Sequence, residues 1–209
     1  MSIFSIAGST PSDEGFELKS ARFDGGGPDY LAKNFSSGSP GTTWTWSCWV
    51  KRVKLGADQQ PFDSYVDASN RSHIGFNSAD NLTIYGMGSG VTTFGRKTSA
   101  VFRDPSAWYH IVWVFDTTQS TDTNRIKVYV NGVEQTTVGL GEGGVSDWPA
   151  QNDTSVMTDD CQHAISVYSG NFTSSPSSFY LAEMYFIDGT ASDVNDFAET
   201  NEKTNQWQP

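Results

Sequence analysis

The chain has 209 residues, of which 13% are aromatic and 18% are charged, and its formal net charge at pH 7 is −11. The length suits one sandwich domain with a sizeable core, and the negative charge argues against a nucleic-acid partner, since a polyanion would be repelled. Residues 1–133 hold twelve acidic and twelve basic residues, whereas residues 134–209 hold twelve acidic residues and one lysine. The last third therefore predicts a solvated acidic face, with a cation site or a basic partner as the alternative.

Strand patterns with a period of two recur along the chain, separated by clusters of Gly, Ser, Asn, Asp and Pro. In chain order, the predicted strands are 16–23, a short strand from Tyr30, 43–53, 62–66, 72–76, 82–85, 107–115, 125–130, a return strand from Val133, 164–168 and 179–187. Residues 192–197 are predicted to form one helical turn, with Ser192 as its N-cap.

Two of these segments have the clearest patterns. Residues 107–115 are apolar at both alternating sets of positions, which predicts a strand that is buried on both faces or central in its sheet. Residues 125–130 alternate regularly and precede Asn131-Gly132, a typical two-residue hairpin turn. No strand is followed by a long helix, which argues against a parallel α/β fold. The sequence predicts a single all-β domain over 1–209, a two-sheet antiparallel jelly-roll sandwich.

Two cysteines are too few for a disulfide framework in a chain of this length. We expect Cys48 and Cys161 to be free thiols, with a bridge between them as the alternative. Residues 1–15 lack the basic start and the apolar run of a secretory signal peptide. No stretch approaches the roughly 18 apolar residues that cross a bilayer, so no membrane insertion is expected.

Three segments resemble concanavalin A-like and laminin G-like lectin domains. They are the W-x-H strand at Trp108 together with the Y-x-N-G hairpin at Tyr129, the opening strand and turn over 21–30, and the strand over 45–51. Residues 179–191 and the tail from Phe197 to Pro209 resemble the closing part of many phage-encoded members. The resemblance covers nearly the whole chain and implies a concanavalin A-like sandwich.

The same family includes glucanases, which carry their catalytic carboxylates at E-x-D-x-x-E spacing on one strand. This spacing is absent from the chain, and Glu183 and Asp188 are five residues apart, which predicts opposite faces of a regular strand. The chain also lacks G-x-S-x-G, and its three histidines fall in or beside separate predicted strands. His110 is expected to make a hydrogen bond within a buried strand. We therefore expect the protein not to be an enzyme.

The resemblance to phage-encoded members favours a non-catalytic structural or adhesion protein of a virion, such as a decoration, fibre or knob module. Such a protein would be assembled in the host cytoplasm and would contact other virion proteins. A symmetric homo-oligomer is expected, and a trimer is the form we favour. One alternative is a carbohydrate-binding module that recognises a glycan on the host surface. A polysaccharide depolymerase is a further alternative, which the missing catalytic spacing disfavours.

A long polar loop over 139–160 is the candidate ligand site, because long loops inside compact domains are often functional. Trp148 with Asn152 and Asp153 would form a platform for a sugar, since the C–H faces of sugars stack on aromatic rings. The alternative is that Trp148 packs into the sandwich or an oligomer interface. Trp44, Trp46 and Trp49 are expected in the core, with Trp49 on the face of their strand opposite the other two. 

A non-catalytic protein of this kind requires no cofactor. Ca²⁺ is nevertheless a candidate, because many members of the resembled family bind it through loop oxygens. The oxygen donors would come from Asp147, Asp153, Asp159 and Asp160, which lie in or beside this turn-rich loop.

Overall fold

In the computed structural model, the described residues are 3–5, for which the backbone alone is described, 19–26, 29–35, 39–141, 148–174 and 176–209. Within these ranges the chain forms sixteen β-strands and three short 3-10 helices. The strands are β1 Ile3–Ser5, β2 Ala21–Asp24, β3 Leu31–Asn34, β4 Thr43–Arg52, β5 Gln59–Asp67, β6 Asn70–Phe76, β7 Leu82–Gly88, β8 Val91–Thr98, β9 Tyr109–Asp116, β10 Ile126–Val130, β11 Val133–Glu134, β12 Thr137–Gly139, β13 Gln162–Ile165, β14 Ser178–Asp188, β15 Glu199–Thr200 and β16 Trp207–Gln208. The 3-10 helices are Asp122–Asn124, Val156–Thr158 and Val194–Asp196. None of the helices in these ranges has the length and apolar character to cross a bilayer.

Two antiparallel sheets of seven strands each form a jelly-roll sandwich, which confirms the predicted fold class. The first sheet has the order β1-β14-β4-β9-β10-β11, and β2 also pairs with β14. The second sheet has the order β12-β8-β7-β6-β5-β13-β3. A small hairpin of β15 and β16 lies outside both sheets.

The core lies between the two sheets and is rich in aromatic side chains because alternate residues of each strand point inward. Trp44 and Trp46 on β4 are fully buried there, and the Trp44 ring stacks on Phe115 of β9 with centroids 5.2 Å apart. Trp49 points to the other side of the first sheet and belongs to a second apolar cluster, as its position on the strand predicts. β9 is central, between β4 and β10, which confirms the prediction from its apolar residues on both faces.

The residues after β14 cover the outer face of the first sheet. We call residues 189–209 the C-terminal segment. It buries Ala198 against Trp49, and Trp207 packs on the same cluster. The hydroxyl Oγ1 of Thr45 donates to the carbonyl oxygen of Thr190 across 2.9 Å. The outer face of the first sheet is therefore covered around Trp49 and Ala182.

The structure differs from the sequence-based elements in several places. The helical turn is Val194–Asp196 and its N-cap is Asp193, not Ser192. The Asp193 carboxylate accepts from the backbone N–H of Asn195, whereas the backbone N–H of Ser192 donates to Thr45. Strand β8 was not predicted, because its alternation is weak, and the short strands β1, β12, β15 and β16 were not predicted either. The strand predicted over 164–168 is β13, Gln162–Ile165. β14 has a bulge between Ala182 and Tyr185, where Glu183 adopts a φ of 47°.

Of the strand predicted over 16–23, residues 16–18 lie outside the described residues. The described part corresponds to β2, which begins at Ala21. The Asn131-Gly132 turn joins β10 to β11 with φ angles of 51° and 79°, the positive values that a two-residue hairpin turn requires. Both cysteines are free and buried.

Candidate functional site

Polar and aromatic side chains line a groove on the outer face of the second sheet. In the register of this sheet, Asp63 on β5 lies opposite His73 on β6, and His73 lies opposite Tyr85 on β7. Because side chains alternate along a strand, the apolar neighbours Phe62 and Ile74 point to the core and leave these three on the outer face. We call the cavity here the outer-face groove; it has a volume of about 280 Å³ and is lined by Asp58, Gln59, Gln60, Arg71, His73, Gly75, Phe76, Asn77, Thr83, Tyr85 and Leu140.

Arg71 holds one end of the groove and is surrounded by tyrosines. Its Nη1 donates to the hydroxyl of Tyr168 across 3.3 Å, and its guanidinium carbon lies 5.9 Å from the centroid of the Tyr168 ring. The Tyr168 ring in turn packs edge-on against Tyr65, with centroids 5.5 Å apart. In the described part of the chain, no aspartate or glutamate forms a salt bridge with Arg71. The guanidinium is therefore positioned by neutral partners.

His73 and Tyr85 form the middle of the groove. Their rings stack with centroids 5.1 Å apart and an interplanar angle of 21°. The hydroxyl of Tyr85 shares a hydrogen bond of 3.1 Å with Thr92. Burial, with a smaller contribution from the positive charge of Arg71, lowers the pKa of His73 to about 4. The imidazole is therefore neutral at pH 7 and can offer one donor and one acceptor to a ligand.

Asp63 anchors the loop that carries Tyr168. It is fully buried, and its Oδ1 accepts hydrogen bonds from the backbone N–H (2.9 Å) and the hydroxyl of Ser169. Its Oδ2 is buried without a hydrogen-bond partner. Burial raises the pKa of Asp63 to about 7, against the opposing effect of the Ser169 hydrogen bonds and of Arg71. The loop position of Tyr168, and through it that of Arg71, thus depends on a carboxyl group that titrates near neutrality.

The far end of the groove is held by a buried ion pair. Arg52 is fully buried and its Nη1 lies 3.0 Å from Oδ1 of Asp80, which also accepts from the backbone N–H of Gly56 across 2.9 Å. The carboxylate of Asp58 accepts from the backbone N–H of Ser78 across 2.8 Å. These contacts join the loop before β5 to the turn between β6 and β7. They fix the positions of Asp58 and the turn residues relative to the sheet.

The predicted sugar platform lies elsewhere, at one end of the sandwich. Trp148 is half-buried and packs against the main core, and the guanidinium carbon of Arg96 lies 3.7 Å from the centroid of its ring. Asn152 is exposed, and the carboxylate of Asp153 accepts from the backbone N–H of Thr154 across 3.2 Å. Trp148 therefore packs into the sandwich, as the alternative reading expects. The platform stays a prediction.

The described residues do not bring the predicted calcium ligands together into one group. Asp147 lies outside the described residues. Asp159 and Asp160 are exposed, although partial burial of the Asp159 carboxyl group raises its pKa. Throughout the described ranges, no three His, Cys, Asp or Glu side chains form a group able to hold a metal ion. The described aspartates thus do not fit a calcium site by themselves, and the site stays a prediction that depends on Asp147.

The other two histidines, His110 and His163, are buried and make hydrogen bonds inside the protein. The Nε2 of His110 shares a hydrogen bond of 2.9 Å with the hydroxyl of Ser47, as expected for a structural histidine in a buried strand. Nδ1 of His163 lies 3.9 Å from the thiol of Cys161. Burial raises the pKa of that thiol to about 12, which keeps it protonated and suppresses any nucleophilic character.

The groove residues were not singled out from the sequence. Two of them, Arg71 and His73, lie on β6, and Tyr85 lies on β7. Their side chains come together only because of the register in which β6 pairs with β7. The one pattern that could have found them is the alternation within β6 and β7, where polar and aromatic residues interleave with Ile74 and Ile84. Without the pairing of the strands, that pattern only predicts a half-buried sheet.

Comparisons with known proteins agree with this architecture. Residues 24–158 match the family described as the concanavalin A-like lectin/glucanases superfamily. No curated protein sequence is significantly similar to the chain. Similar solved structures include domain 4 of AbnA, a GH43 extracellular arabinanase from Geobacillus stearothermophilus, in complex with arabinotriose, at 19% identity and a TM-score of 0.57, covering 89% of this chain and 83% of that one.

Two further structures share the fold. The native heptameric SAP-like pentraxin from Limulus polyphemus is 14% identical with a TM-score of 0.53, covering 80% of this chain and 74% of that one. The CBM40 of the Ruminococcus gnavus IT-sialidase, bound to alpha2,6 sialyllactose, is 10% identical with a TM-score of 0.52, covering 82% of this chain and 97% of that one. At these identities the similarity establishes the fold alone.

Proposed function

We propose, for a chain that belongs to the concanavalin A-like lectin/glucanase superfamily, a non-catalytic carbohydrate-binding function with the glycan held in the outer-face groove. The observation that carries this proposal is the convergence of Arg71, His73 and Tyr85 on one groove. Sugars present hydroxyl groups at their edges and apolar C–H groups on their faces. A groove that combines planar polar side chains with aromatic rings matches both features.

The other lining residues add donors and acceptors suited to hydroxyl groups. Gln60, Asn77 and Thr83 contribute amide and hydroxyl groups along the walls. Asp58 contributes a carboxylate, which is a strong acceptor for sugar hydroxyls. The groove is open to solvent along one side of a sheet, so a chain of sugars can lie in it without being enclosed.

The same lining disfavours hydrolysis. Glycosidases of the usual kind need two carboxyl groups about 5–9 Å apart on either side of the scissile bond. Among the described residues that line the groove, Asp58 is the single carboxylate. Asp63 is fully buried and bonded to Ser169, so it is not presented to a ligand. A binding role therefore agrees better with the groove than a depolymerase.

The solved structures named above support a binding role by analogy of fold. The arabinanase domain holds arabinotriose and the CBM40 holds sialyllactose, as their names state. For the biological setting we propose the surface of a phage particle, as a decoration, fibre or knob module that adheres to host glycans. Support for this comes from the resemblance of residues 179–191 and of the tail to phage-encoded members. Contacts with other virion proteins and a trimeric assembly belong to the same proposal.

A glycan-binding screen with purified protein tests the proposed function. We expect saturable binding that is reduced at least tenfold in Tyr85→Ala, since the ring that supports His73 is lost. Trp148→Ala serves as the matched aromatic control, because it removes a ring from the predicted loop site instead. Near-UV circular dichroism verifies that each variant keeps its packing. Loss of binding in Trp148→Ala with full binding in Tyr85→Ala would move the site to the loop.

A second measurement addresses the setting. The native mass of the protein and its association with purified virions test the adhesion role on a particle. A strictly monomeric protein that does not associate with virions of any candidate phage would contradict that role, while the glycan-binding result would stand on its own.

A further inference from the structure

The outer-face groove contains one cationic side chain. Arg71 is the single arginine or lysine among its described lining residues, and it is held by the Tyr168 hydroxyl instead of by a carboxylate. A guanidinium is planar and offers paired N–H donors that match the two oxygens of a carboxylate. Its charge is felt in the groove, because it contributes to lowering the pKa of His73. The groove therefore has a cationic end: the charge of Arg71 favours the ionised form of the buried Asp63 carboxyl group, but the two form no salt bridge.

The two ends of the groove differ in charge. Arg71 lies at the start of β6 and Asn77 directly follows its end, which places them about 20 Å apart at about 3.3 Å per residue. The carboxylate of Asp58 lies at the Asn77 end, where it bonds the backbone of Ser78. A ligand with an anionic group at one end and hydroxyl groups along the rest would match this polarity.

Part of the negative charge of the protein lies away from the groove. The C-terminal segment exposes the four acidic side chains Asp193, Asp196, Glu199 and Glu202 and covers the outer face of the first sheet, opposite the groove. Charges separated by more than about 8–10 Å are largely screened at physiological ionic strength. The local field at the groove is therefore set by its own charged residues, Arg71 at one end and Asp58 at the other, and not by the formal charge of the whole chain.

We infer that the glycan held in the outer-face groove is acidic, and that Arg71 binds a carboxylate of one of its sugars. This inference rests on the proposed function and names the class of its ligand. A single guanidinium suits a single negative charge, which is what one uronic or other carboxylate-bearing sugar provides. Asp63, which cannot reach the ligand, keeps Tyr168 in place and so positions Arg71.

A panel of acidic oligosaccharides, each paired with its carboxyl-reduced counterpart, tests the inference. The two members of a pair differ only in the replacement of the carboxylate by a CH2OH group. We expect the protein to bind at least one acidic member about ten- to a hundredfold more tightly than its reduced counterpart, the range of one charge-assisted hydrogen-bond pair. Isothermal titration calorimetry at low and at physiological salt provides the affinities.

Variants separate the role of Arg71 from general charge effects. Arg71→Gln should abolish the preference for the acidic member, so that the two members of a pair bind with equal affinity. Lys203→Gln is the matched control, since it removes one positive charge from the C-terminal segment, and it should keep the preference. Equal binding of both members by the unaltered protein, or a preference that survives in Arg71→Gln, would overturn the inference.

Failure of the inference and failure of the proposed function give different results. Binding confined to neutral glycans would overturn the acidic ligand and leave carbohydrate binding in place. Absence of binding to every acidic and neutral glycan, in a protein whose near-UV spectrum shows a packed core, would overturn both.

Discussion

The indole Nε1 of Trp207 lies 2.9 Å from Nδ1 of His110, which joins the C-terminal segment to the centre of the first sheet. An indole N–H can only donate, so Nδ1 must accept and the imidazole proton must reside on Nε2. Nε2 then donates to the hydroxyl of Ser47 on the neighbouring strand. The tautomer of a buried histidine is thus set by a residue near the end of the chain.

Removal of the Trp207 donor should destabilise the fold. Trp207→Phe keeps an aromatic ring over the sheet but leaves Nδ1 of His110 without its partner. We expect a loss of about 1–3 kcal/mol in the free energy of unfolding, which urea denaturation measures. Gln206→Ala, an exposed change at the adjacent position, is the control and should have little effect. An unchanged stability in Trp207→Phe would show that the hydrogen bond has no net value.

Acid should loosen the same contact. Burial lowers the pKa of His110 to about 4, from the ordinary value of 6.5. Because the folded-state pKa is depressed, the unfolded chain binds more protons between these values, and the stability contribution present above pH 6.5 is lost as the pH falls towards 4. Between pH 7.5 and 4.5, the free energy of unfolding should therefore fall more steeply with decreasing pH in the unaltered protein than in His110→Gln. Denaturant unfolding at several pH values measures it. Parallel pH profiles would contradict this account.

Asp63 should have the opposite pH dependence. Its pKa is raised to about 7 by burial, so its contribution to stability is greatest below the unfolded value of 3.8 and is lost as the pH rises through 7. Asp63→Asn should be more stable than the unaltered protein at pH 8, and the advantage should shrink at pH 5. Asp160→Asn, a change at an exposed position, should show no such trend. Thermal unfolding at the two pH values provides the comparison.

The buried ion pair at the end of the groove should be sensitive to the loss of one partner. Arg52→Met leaves Asp80 with a less compensated charge, and we expect a loss of about 3–5 kcal/mol in the free energy of unfolding. Arg103 contacts the same carboxylate, with Nε 2.9 Å from Oδ2, but its side chain is 59% exposed. Arg103→Met should therefore cost about 1 kcal/mol or less. Similar losses of stability in the two variants would indicate that the buried Arg52–Asp80 pair is no more important to stability than the exposed Arg103–Asp80 pair.

Trp148 offers a test that separates packing from binding. Since its ring packs on the core and under Arg96, Trp148→Ala should lower the free energy of unfolding by about 2–4 kcal/mol. Asn152→Ala, at an exposed position of the same loop, should be nearly neutral. If Trp148→Ala instead left the stability unchanged and removed glycan binding, the ring would be a sugar platform. Denaturation and glycan titration of the same samples give both readouts.

The sequence predicted those parts of the fold that depend on local patterns. The burial of alternate residues in β10 and the opposite faces of Trp46 and Trp49 follow from the two-residue period of a strand. The hairpin after β10 follows from the tolerance of Asn and Gly for positive φ. The cap of the last helical turn was placed one residue early, since Ser192 and Asp193 are both good N-caps. The structure distinguishes them by the contacts of Asp193, whose carboxylate accepts from the backbone N–H of Asn195 and whose own backbone N–H donates to Asp196.

The outer-face groove could not be predicted in the same way. Its residues come from β5, β6 and β7, from positions directly beside β5 and β6, and from one position just after β12. Strand register is a long-range property that a single sequence does not display. Trp148 drew attention because a large aromatic in a polar loop is conspicuous. The hydrogen bonds that define the groove, such as that of Arg71 to Tyr168, join residues almost a hundred positions apart.

The place of β14 has a consequence for how the protein is made. This strand lies between β4 on one side and β1 and β2 on the other, so the first sheet cannot be completed until residues 178–188 are available. A ribosome-bound chain that lacks them would present the edge of β4, with its tryptophans, to other nascent chains. Pairings between such distant segments are slow to form and prone to aggregation. The first sheet is therefore expected to fold only after residues 178–188 have left the ribosome, and yield in recombinant expression should respond to chaperone supply and temperature.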